Sequence, residues 1–435
     1  MNLSQIDVNI KNPCSCGKNH DCVTKSISIG ENMTEPIIDF IKNNFDGNAR
    51  GCIVCDCNTH KASENMIASL EKSGLCDVLE LNIKSCHASA AMVRDCEEKL
   101  NGKGVDFDYF IAAGSGTIHD ITRFVAHKKN LPFISYPTAP SVDGFVSNIA
   151  PITTDDGMKL ALISASPIAL FGDIDVFTNA PKRLIASGVG DILGKYVALA
   201  DWRISNLLTG EYICDSIAKL VRDAADKTKN SLIEFGKDKN EESYKNFCVN
   251  LLEALVVSGI CMQYKGDSRP ASGGEHHVAH FWEMGIILST DCLHGENVGV
   301  GSIICSDLYH KFAESENIRF IQNYDIEYEL IKKYYKNKNL YDDIIKENTP
   351  NNVENVKSED FYGNIDKIKN IITEIPSKDE FINLLNIVGG VKDVSEIKPY
   401  DLKCAESEII PISLNLAPYV RGRFTLLKLM RCIEI

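Results

Sequence analysis

Two stretches hold the residue types best able to do chemistry: Gly274-Glu275-His276-His277-Val278-Ala279-His280 and Cys292-Leu293-His294-Gly295-Glu296-Asn297. Four of the ten histidines of the chain fall between His276 and His294. His276 and His280 stand at i, i+4 and so share one face of a helix. His294 precedes a Gly in a turn-like setting. Neutral imidazole is the commonest protein ligand of divalent transition metals, so this clustering predicts a metal-centred active site.

A carboxylate to complete such a site stands upstream, in Gly188-Val189-Gly190-Asp191-Ile192-Leu193-Gly194-Lys195, among small residues that let other groups approach. Asp191, His276 and His294 would fill three positions of a zinc-like sphere and leave room for substrate oxygens. His280 is then available to bind substrate or relay a proton. His277 points about 100° away from its neighbour and is left out of the set. At the other end of the chain, Cys14-x-Cys16…His20-x-Cys22 has metal-binding residue types without the spacing of a standard zinc knuckle. Cys52, Cys55 and Cys57 lie along a strand, and their side chains do not share a face.

A second kind of chemistry is suggested by Gly114-Ser115-Gly116-Thr117, which follows an apolar strand and precedes a helical run, Ile118–Ala126. Glycine there allows a tight turn, and the helix N-terminus offers N–H groups to a phosphate. The dinucleotide fingerprint is incomplete, because His119 stands where its third Gly would be. Asp56, at the end of an earlier strand, reads either as an acceptor for an adenosine ribose or as a turn Asp.

These groups need a scaffold. At 435 residues the chain calls for two domains. Apolar runs at Gly51–Cys55, Tyr109–Ala113 and Phe133–Tyr136, separated by helical stretches, predict a parallel sheet covered on both faces. From Pro181 onward the pattern turns helical. Pro181 opens one long helix, and Asp215 stands where it could cap a second, Asp215–Asn230. Ser377 to Glu380 has capping-box spacing before Phe381–Val388, with Gly389-Gly390 as a stop. Lys336–Glu380, rich in Asn, Lys, Asp and Glu, reads as exposed helices and loops. The boundary is expected near residue 180, giving domains 1–180 and 181–435.

Composition narrows the function classes. Hydrophobic content of 44% and charged content of 24% are those of a globular protein. A net charge of −14 argues against nucleic acid or anionic membrane as the main partner. Sixteen cysteines behind a polar opening, Met1–Asp7, predict a reducing cytoplasm and thiols rather than a disulfide framework. The apolar stretch Ala254–Met262 is far short of the roughly 20 residues of a membrane span.

Five motifs in order, Gly114-Ser115-Gly116-Thr117-x-x-Asp120, Thr138–Gly144, Gly188-x-Gly190-Asp191, Glu275-His276…His280 and Leu293-His294-Gly295-Glu296, resemble the iron-containing alcohol dehydrogenase and dehydroquinate synthase superfamily. Thr138–Gly144, Ala200-Asp201-Trp202 and the Cys14-x-Cys16-Gly17 opening are most similar to the bacterial, AraM-type sn-glycerol-1-phosphate dehydrogenases. The resemblance covers nearly the whole chain. It implies an α/β Rossmann-like N-terminal domain and an all-α C-terminal domain, with the site in the cleft between them. It implies Asp191, His276 and His294 as ligands of one divalent metal (zinc, nickel or iron). NAD(H) or NADP(H) would sit on Gly114, Ser115, Gly116, Thr117 and Ile118, with Thr138, Ser141, Ser147 and Asp56 as further contacts. Asp143, His280 and Asp191 would take the substrate. A homodimer or larger homo-oligomer is implied as well.

Two departures sharpen that picture. Lys195 stands where iron alcohol dehydrogenases carry a further histidine, which leaves three protein ligands and space for two substrate oxygens. Asp191 stands where dehydroquinate synthases have Glu, which argues against lyase chemistry. The expected reaction is metal-assisted hydride transfer between NAD(P)H and dihydroxyacetone phosphate, giving sn-glycerol 1-phosphate. A glycerol dehydrogenase, a dehydroquinate-synthase-like lyase and a nucleotide-binding regulator with a structural metal are the rival readings.

Overall fold

The computed structural model describes residues 10, 13–83, 85, 87–155, 159–321, 326–397 and 401–435; the polar opening Met1–Asp7 lies outside them. The chain divides into two units. The first is Met1–Gly188 with Asp226–Gly266, and the second is Val189–Ala225 with Asp267–Ile435.

The first unit is built on a six-stranded parallel sheet. Its strands are β1 (Ser26–Gly30), β2 (Gly51–Asp56), β3 (Cys76–Leu81), β4 (Tyr109–Gly114), β5 (Phe133–Pro137) and β8 (Ala169–Asp173). A separate antiparallel pair, β6 (Ile149–Thr153) and β7 (Lys159–Ile163), intervenes in sequence. The sheet order is β1-β8-β5-β4-β2-β3. Alternation along the strands buries both faces. Cys52, Val54, Phe110 and Ala112 pack on one side with Val93 and Cys96 of α4 (Ala90–Gly102) and Ile121 and Val125 of α5 (Gly116–Lys129). Ile53, Cys55, Ile111 and Ala113 pack on the other with Ile37 and Ile41 of α1 (Thr34–Asn44) and Met66 and Leu70 of α3 (Glu64–Lys72). Between them in sequence lies the short α2 (Cys57–Ala62).

The order matters for function. From β2 the chain adds β3 on one side, then β4 and β5 on the other, so the strand order reverses between β2 and β4. Ligands of open α/β sheets bind beyond the carboxyl ends of the strands at such a reversal. Asp56 ends β2 and Gly114 ends β4, one on each side of it.

After the short α6 (Ile174–Phe177), long helices dominate: α7 (Lys182–Thr209), α8 (Asp215–Asp238) and α9 (Glu241–Lys265). Asp215 is the first residue of α8 and not the residue that caps it; the helix is entered from Cys214, whose carbonyl accepts the Ala218 N–H. Helix α9 is long and apolar enough to cross a membrane, but its apolar window is 83% buried within the protein, as expected of a core helix. In the second unit follow α10 (Gly274–Glu283) and α11 (His294–Glu314), then shorter helices and two small two-stranded pairs. Ser377 caps α15 (Lys378–Val388), its Oγ accepting the Glu380 N–H at 3.2 Å, and Gly389 ends that helix at φ +68°. The Lys336–Glu380 stretch is less exposed than its composition suggests, because Phe361, Ile368 and Ile372 are fully buried.

Candidate metal and nucleotide sites

In the second unit, three helices meet around Asp191, His276 and His294. One ligand atom from each lies within 4.8 Å of the others. Close approach of helices α7 and α11 makes this possible. A Cβ on Gly190 would come 2.0 Å from the Gly295 carbonyl oxygen, so only hydrogen fits there.

Each histidine is held from behind by a carboxylate. His276 Nδ1 contacts Glu275 Oε1 at 2.7 Å, and His294 Nδ1 contacts Glu283 Oε1 at 2.7 Å. A proton on Nδ1 in both rings leaves Nε2 as the ligating atom, the usual arrangement behind a metal-bound imidazole. Burial, and after it the Lys195 ammonium, holds His276 well below the usual imidazole range, which keeps it in the neutral, ligating form. Glu275 is fully buried, and its Oε1 also accepts the Gly273 N–H at 2.9 Å, so that oxygen acts as an acceptor and the ring proton sits on His276 Nδ1. Lys195 Nζ donates to Asp191 Oδ1 at 2.6 Å and to the Ala271 carbonyl at 3.1 Å, with both side chains of the ion pair fully buried. Lys195 therefore orients the Asp191 carboxylate. The donor set, one carboxylate and two oriented imidazoles, fits a divalent transition metal.

His280 completes the cluster. Its ring lies 5.8 Å from that of His276 and stacks on His294 at 5.4 Å. Its Nδ1 contacts Glu283 Oε2 at 3.1 Å, so Glu283 serves two histidines at once. Burial is the main reason that His280 falls to about 4. Glu283 was not among the residues singled out from sequence, although it stands at i+7 from His276 and i+3 from His280, on the same helical face.

The nucleotide candidates all lie in the first unit. Gly114 ends β4, Ser115 leads into α5, and Gly116, Thr117 and Ile118 form its first turn. The Gly114 carbonyl accepts the Thr138 N–H at 3.0 Å, which joins the turn after β4 to the one after β5. His119 fills the place of the missing glycine as a structural group. Its ring nitrogens contact the Ser115 carbonyl at 3.0 Å and Ser135 Oγ at 2.7 Å, and burial pushes it down to about 3. Ser141 Oγ is buried and, among the described residues, has no hydrogen-bond partner. Ser147 Oγ accepts the Ile149 N–H at 3.0 Å. Asp56 Oδ1 caps α2, accepting the N–H groups of Asn58 and Thr59 at 2.8 and 3.0 Å. Asp56 also borders a cavity of about 320 Å³ lined by Asn58, Glu80, Asn82 and Lys99. It is thus a turn Asp in fact and stands beside open space.

Two further groups position this half. Arg123, fully buried on α5, donates to the carbonyls of Ser147 at 2.8 Å, Ile149 at 3.3 Å and Gly144. A lone Arg within Ile121–Val125 was the available sequence signal. Asp143 accepts from Ser258 Oγ of α9 at 2.9 Å.

Comparison with known proteins identifies relatives of this chain. A family model described as iron-containing alcohol dehydrogenase matches residues 28–181. A glycerol-1-phosphate dehydrogenase (NAD(P)+) of Halalkalibacterium halodurans is 31% identical over 424 residues, covering 96% of this chain and 95% of the relative. One of the same name from Bacillus velezensis is 40% identical over 300 residues, 68% of this chain and 74% of the relative. Among solved structures, an iron-containing alcohol dehydrogenase of Thermotoga maritima aligns over 91% of this chain and 98% of its own, with TM-score 0.53 and 15% identity, a likeness of fold. The chain belongs to the glycerol-1-phosphate dehydrogenase family, within the iron-containing alcohol dehydrogenases.

Proposed function

We propose that this chain interconverts dihydroxyacetone phosphate and sn-glycerol 1-phosphate, using NAD(P)(H) and a divalent metal. The observation that carries the reading is the Asp191, His276 and His294 set, with both imidazoles oriented by carboxylates. Zinc, nickel and iron all suit these donors. A cation held there would supply Lewis-acid stabilisation of alkoxide charge on the substrate oxygen. A bound nicotinamide would supply or accept the hydride; Gly114–Ile118, Thr138, Ser141 and Ser147 would hold it, with Asp56 on the adenosine side. Asp191 and its partners orient the substrate oxygens. His280, neutral and backed by Glu283, exchanges the proton of the substrate hydroxyl. Asp143, steadied by Ser258, binds a substrate hydroxyl. In this reading residues 1–180 serve the nucleotide and lend Asp143 to the substrate, and residues 181–435 serve the metal and the rest of the substrate, in a cytoplasmic homo-oligomer.

The test is NADH oxidation with dihydroxyacetone phosphate on chelator-stripped protein, repeated after adding Zn²⁺, Ni²⁺ or Fe²⁺. Metal-dependent turnover that is weak with unphosphorylated dihydroxyacetone is expected. Preference for dihydroxyacetone itself would make the protein a glycerol dehydrogenase, and no turnover with either would overturn the dehydrogenase reading.

A further inference from the structure

We infer that Arg421 and Arg423, with His277, Ser272 and Arg269, form the subsite for the phosphate of the substrate; this rests on the dehydrogenase reading above. The two guanidinium groups converge on one hydroxyl: Arg421 Nη1 donates to Ser268 Oγ at 3.3 Å, and Arg423 Nη2 to the same atom at 3.1 Å. Arg423 Nη1 donates to the Ser272 carbonyl at 2.9 Å. Among the described residues these donors thus go to neutral oxygens, and no carboxylate lies within ion-pair distance of either arginine.

Around them, buried polar atoms stand without partners: Ser272 Oγ, Nε and Nη1 of Arg269, and both ring nitrogens of His277. Arg269, Ser272 and His277 are each more than nine-tenths buried. Unpaired buried polar groups are costly, and neighbouring like charges add to the cost. Arg423 is pushed down to about 9 by burial and then by the Arg269 and Arg421 charges. The Arg269 charge is already paired, its Nη2 lying 3.0 Å from Glu211 Oε2. A phosphate dianion would satisfy the unpaired Arg269 donors and the Arg421 and Arg423 charges together, and planar guanidinium groups match its oxygens two at a time. Arg421 is also within electrostatic reach of His280 and Glu283, which connects the subsite to the histidine cluster of the same unit.

The experiment compares wild type, Arg421→Ala, Arg423→Ala and Arg423→Lys with dihydroxyacetone phosphate, measuring kcat and KM separately, metal content, and inhibition by inorganic phosphate. Each alanine variant is expected to raise KM and the phosphate inhibition constant by at least about tenfold, as for a lost charged hydrogen bond. Metal content should stay at the wild-type level, and Arg423→Lys should recover part of the loss. Unchanged KM and phosphate inhibition in both alanine variants would overturn the subsite. A wild type without dihydroxyacetone phosphate turnover would overturn the dehydrogenase reading instead.

A different cluster, in the first unit, carries a second inference. The geometry points to a structural metal site at Cys14, Cys16 and His20, whose donor atoms lie within 4.8 Å of one another. A tight turn presents the cysteines, with the Gly17 N–H on the Cys14 carbonyl at 2.8 Å and Gly17 at φ +83°. His20 is buried, and its Nδ1 contacts the Tyr264 carbonyl at 3.1 Å. A carbonyl only accepts, so Nδ1 carries the proton and Nε2 turns its lone pair to Cys16 Sγ, 3.2 Å away. Thiolate and imidazole bonds of about 2.3 and 2.0 Å at a tetrahedral zinc would place these two atoms about 3.5 Å apart. Two thiolates and one imidazole select zinc over hard cations and leave one position for a further donor. Cys22 is not part of the set, since its Sγ faces the Thr24 carbonyl at 3.2 Å.

Cobalt loading of the full chain tests the site. The wild type should show thiolate-to-cobalt charge-transfer absorption that persists in His276→Ala and Cys22→Ser. That band should be lost in Cys14→Ser and Cys16→Ser, together with one equivalent of bound metal. Absence of the band in wild type, or its persistence in both cysteine variants, would overturn the assignment.

Discussion

His294 Nδ1 lies 2.7 Å from Oε1 of Glu283, and that contact ties the first residue of α11 to the last residue of α10. The other oxygen of the same carboxylate holds His280. One side chain therefore sets the ring orientation of a candidate metal ligand and of the candidate proton carrier. Glu283→Ala should weaken metal binding by about 10–100-fold, the usual effect of removing such a partner. Competition against a chromophoric chelator measures it, and wild-type affinity in the variant would show that His294 does not depend on Glu283.

Lys195 and Asp191 form a buried ion pair at 2.6 Å. Replacing Lys195 by Met leaves the Asp191 carboxylate buried without its counter-charge, a change of about 3–5 kcal/mol. The melting temperature of the metal-stripped variant should fall, and added Zn²⁺ should recover more of it than in wild type, because the cation supplies the missing positive charge. Equal recovery in both proteins would sink this account.

Gly190→Ala puts a methyl group 2.0 Å from the Gly295 carbonyl oxygen. Backbone on both sides leaves no flexible side chain to yield, so α11 must shift. A loss of about 1–3 kcal/mol is expected, with metal occupancy reduced because His294 sits at the displaced end. Occupancy by elemental analysis of purified protein is the check.

Arg123→Met removes a buried donor from three carbonyls. Those of Gly144 and Ile149 keep the Ser147 N–H and Oγ, so the Ser147 carbonyl is the group left unpaired, at about 1–3 kcal/mol. The 144–149 segment should loosen. NADH affinity, read by nucleotide fluorescence, should drop several-fold while metal binding stays at the wild-type level. Loss of metal with retained NADH binding would contradict it.

Much of this was readable in the chain. Strands β2, β4 and β5 are continuous apolar runs because both of their faces are covered, and that pattern needs no partner to be seen. The Asp191, His276 and His294 set was suggested by residue type and by the local i, i+4 spacing of His276 and His280. Strands β1, β3 and β8 went unnoticed; Ser26–Gly30 alternates polar and apolar residues and is half-covered, and Cys76–Leu81 is broken by Asp77 and Glu80. Arg421 and Arg423 lie far from the histidines in sequence, and nothing local about Val420–Phe424 signals that two charges end beside one hydroxyl. A turn role for Asp56 was one of its two readings, but the structural role of His119 was hidden, since it depends on neighbours that only the fold supplies.

The chain enters the second unit at Val189, returns to the first at Asp226 and leaves it again after Gly266. During synthesis this imposes a chronology, because domains form as their residues emerge. Asp191 emerges early and waits through α9, which completes the first unit and brings Ser258 to Asp143. Only then do His276 and His294 appear. A nascent chain halted anywhere in between has its whole parallel sheet but only one ligand of the metal set. Assembly of the candidate metal set is therefore reserved for chains that have been translated into α11.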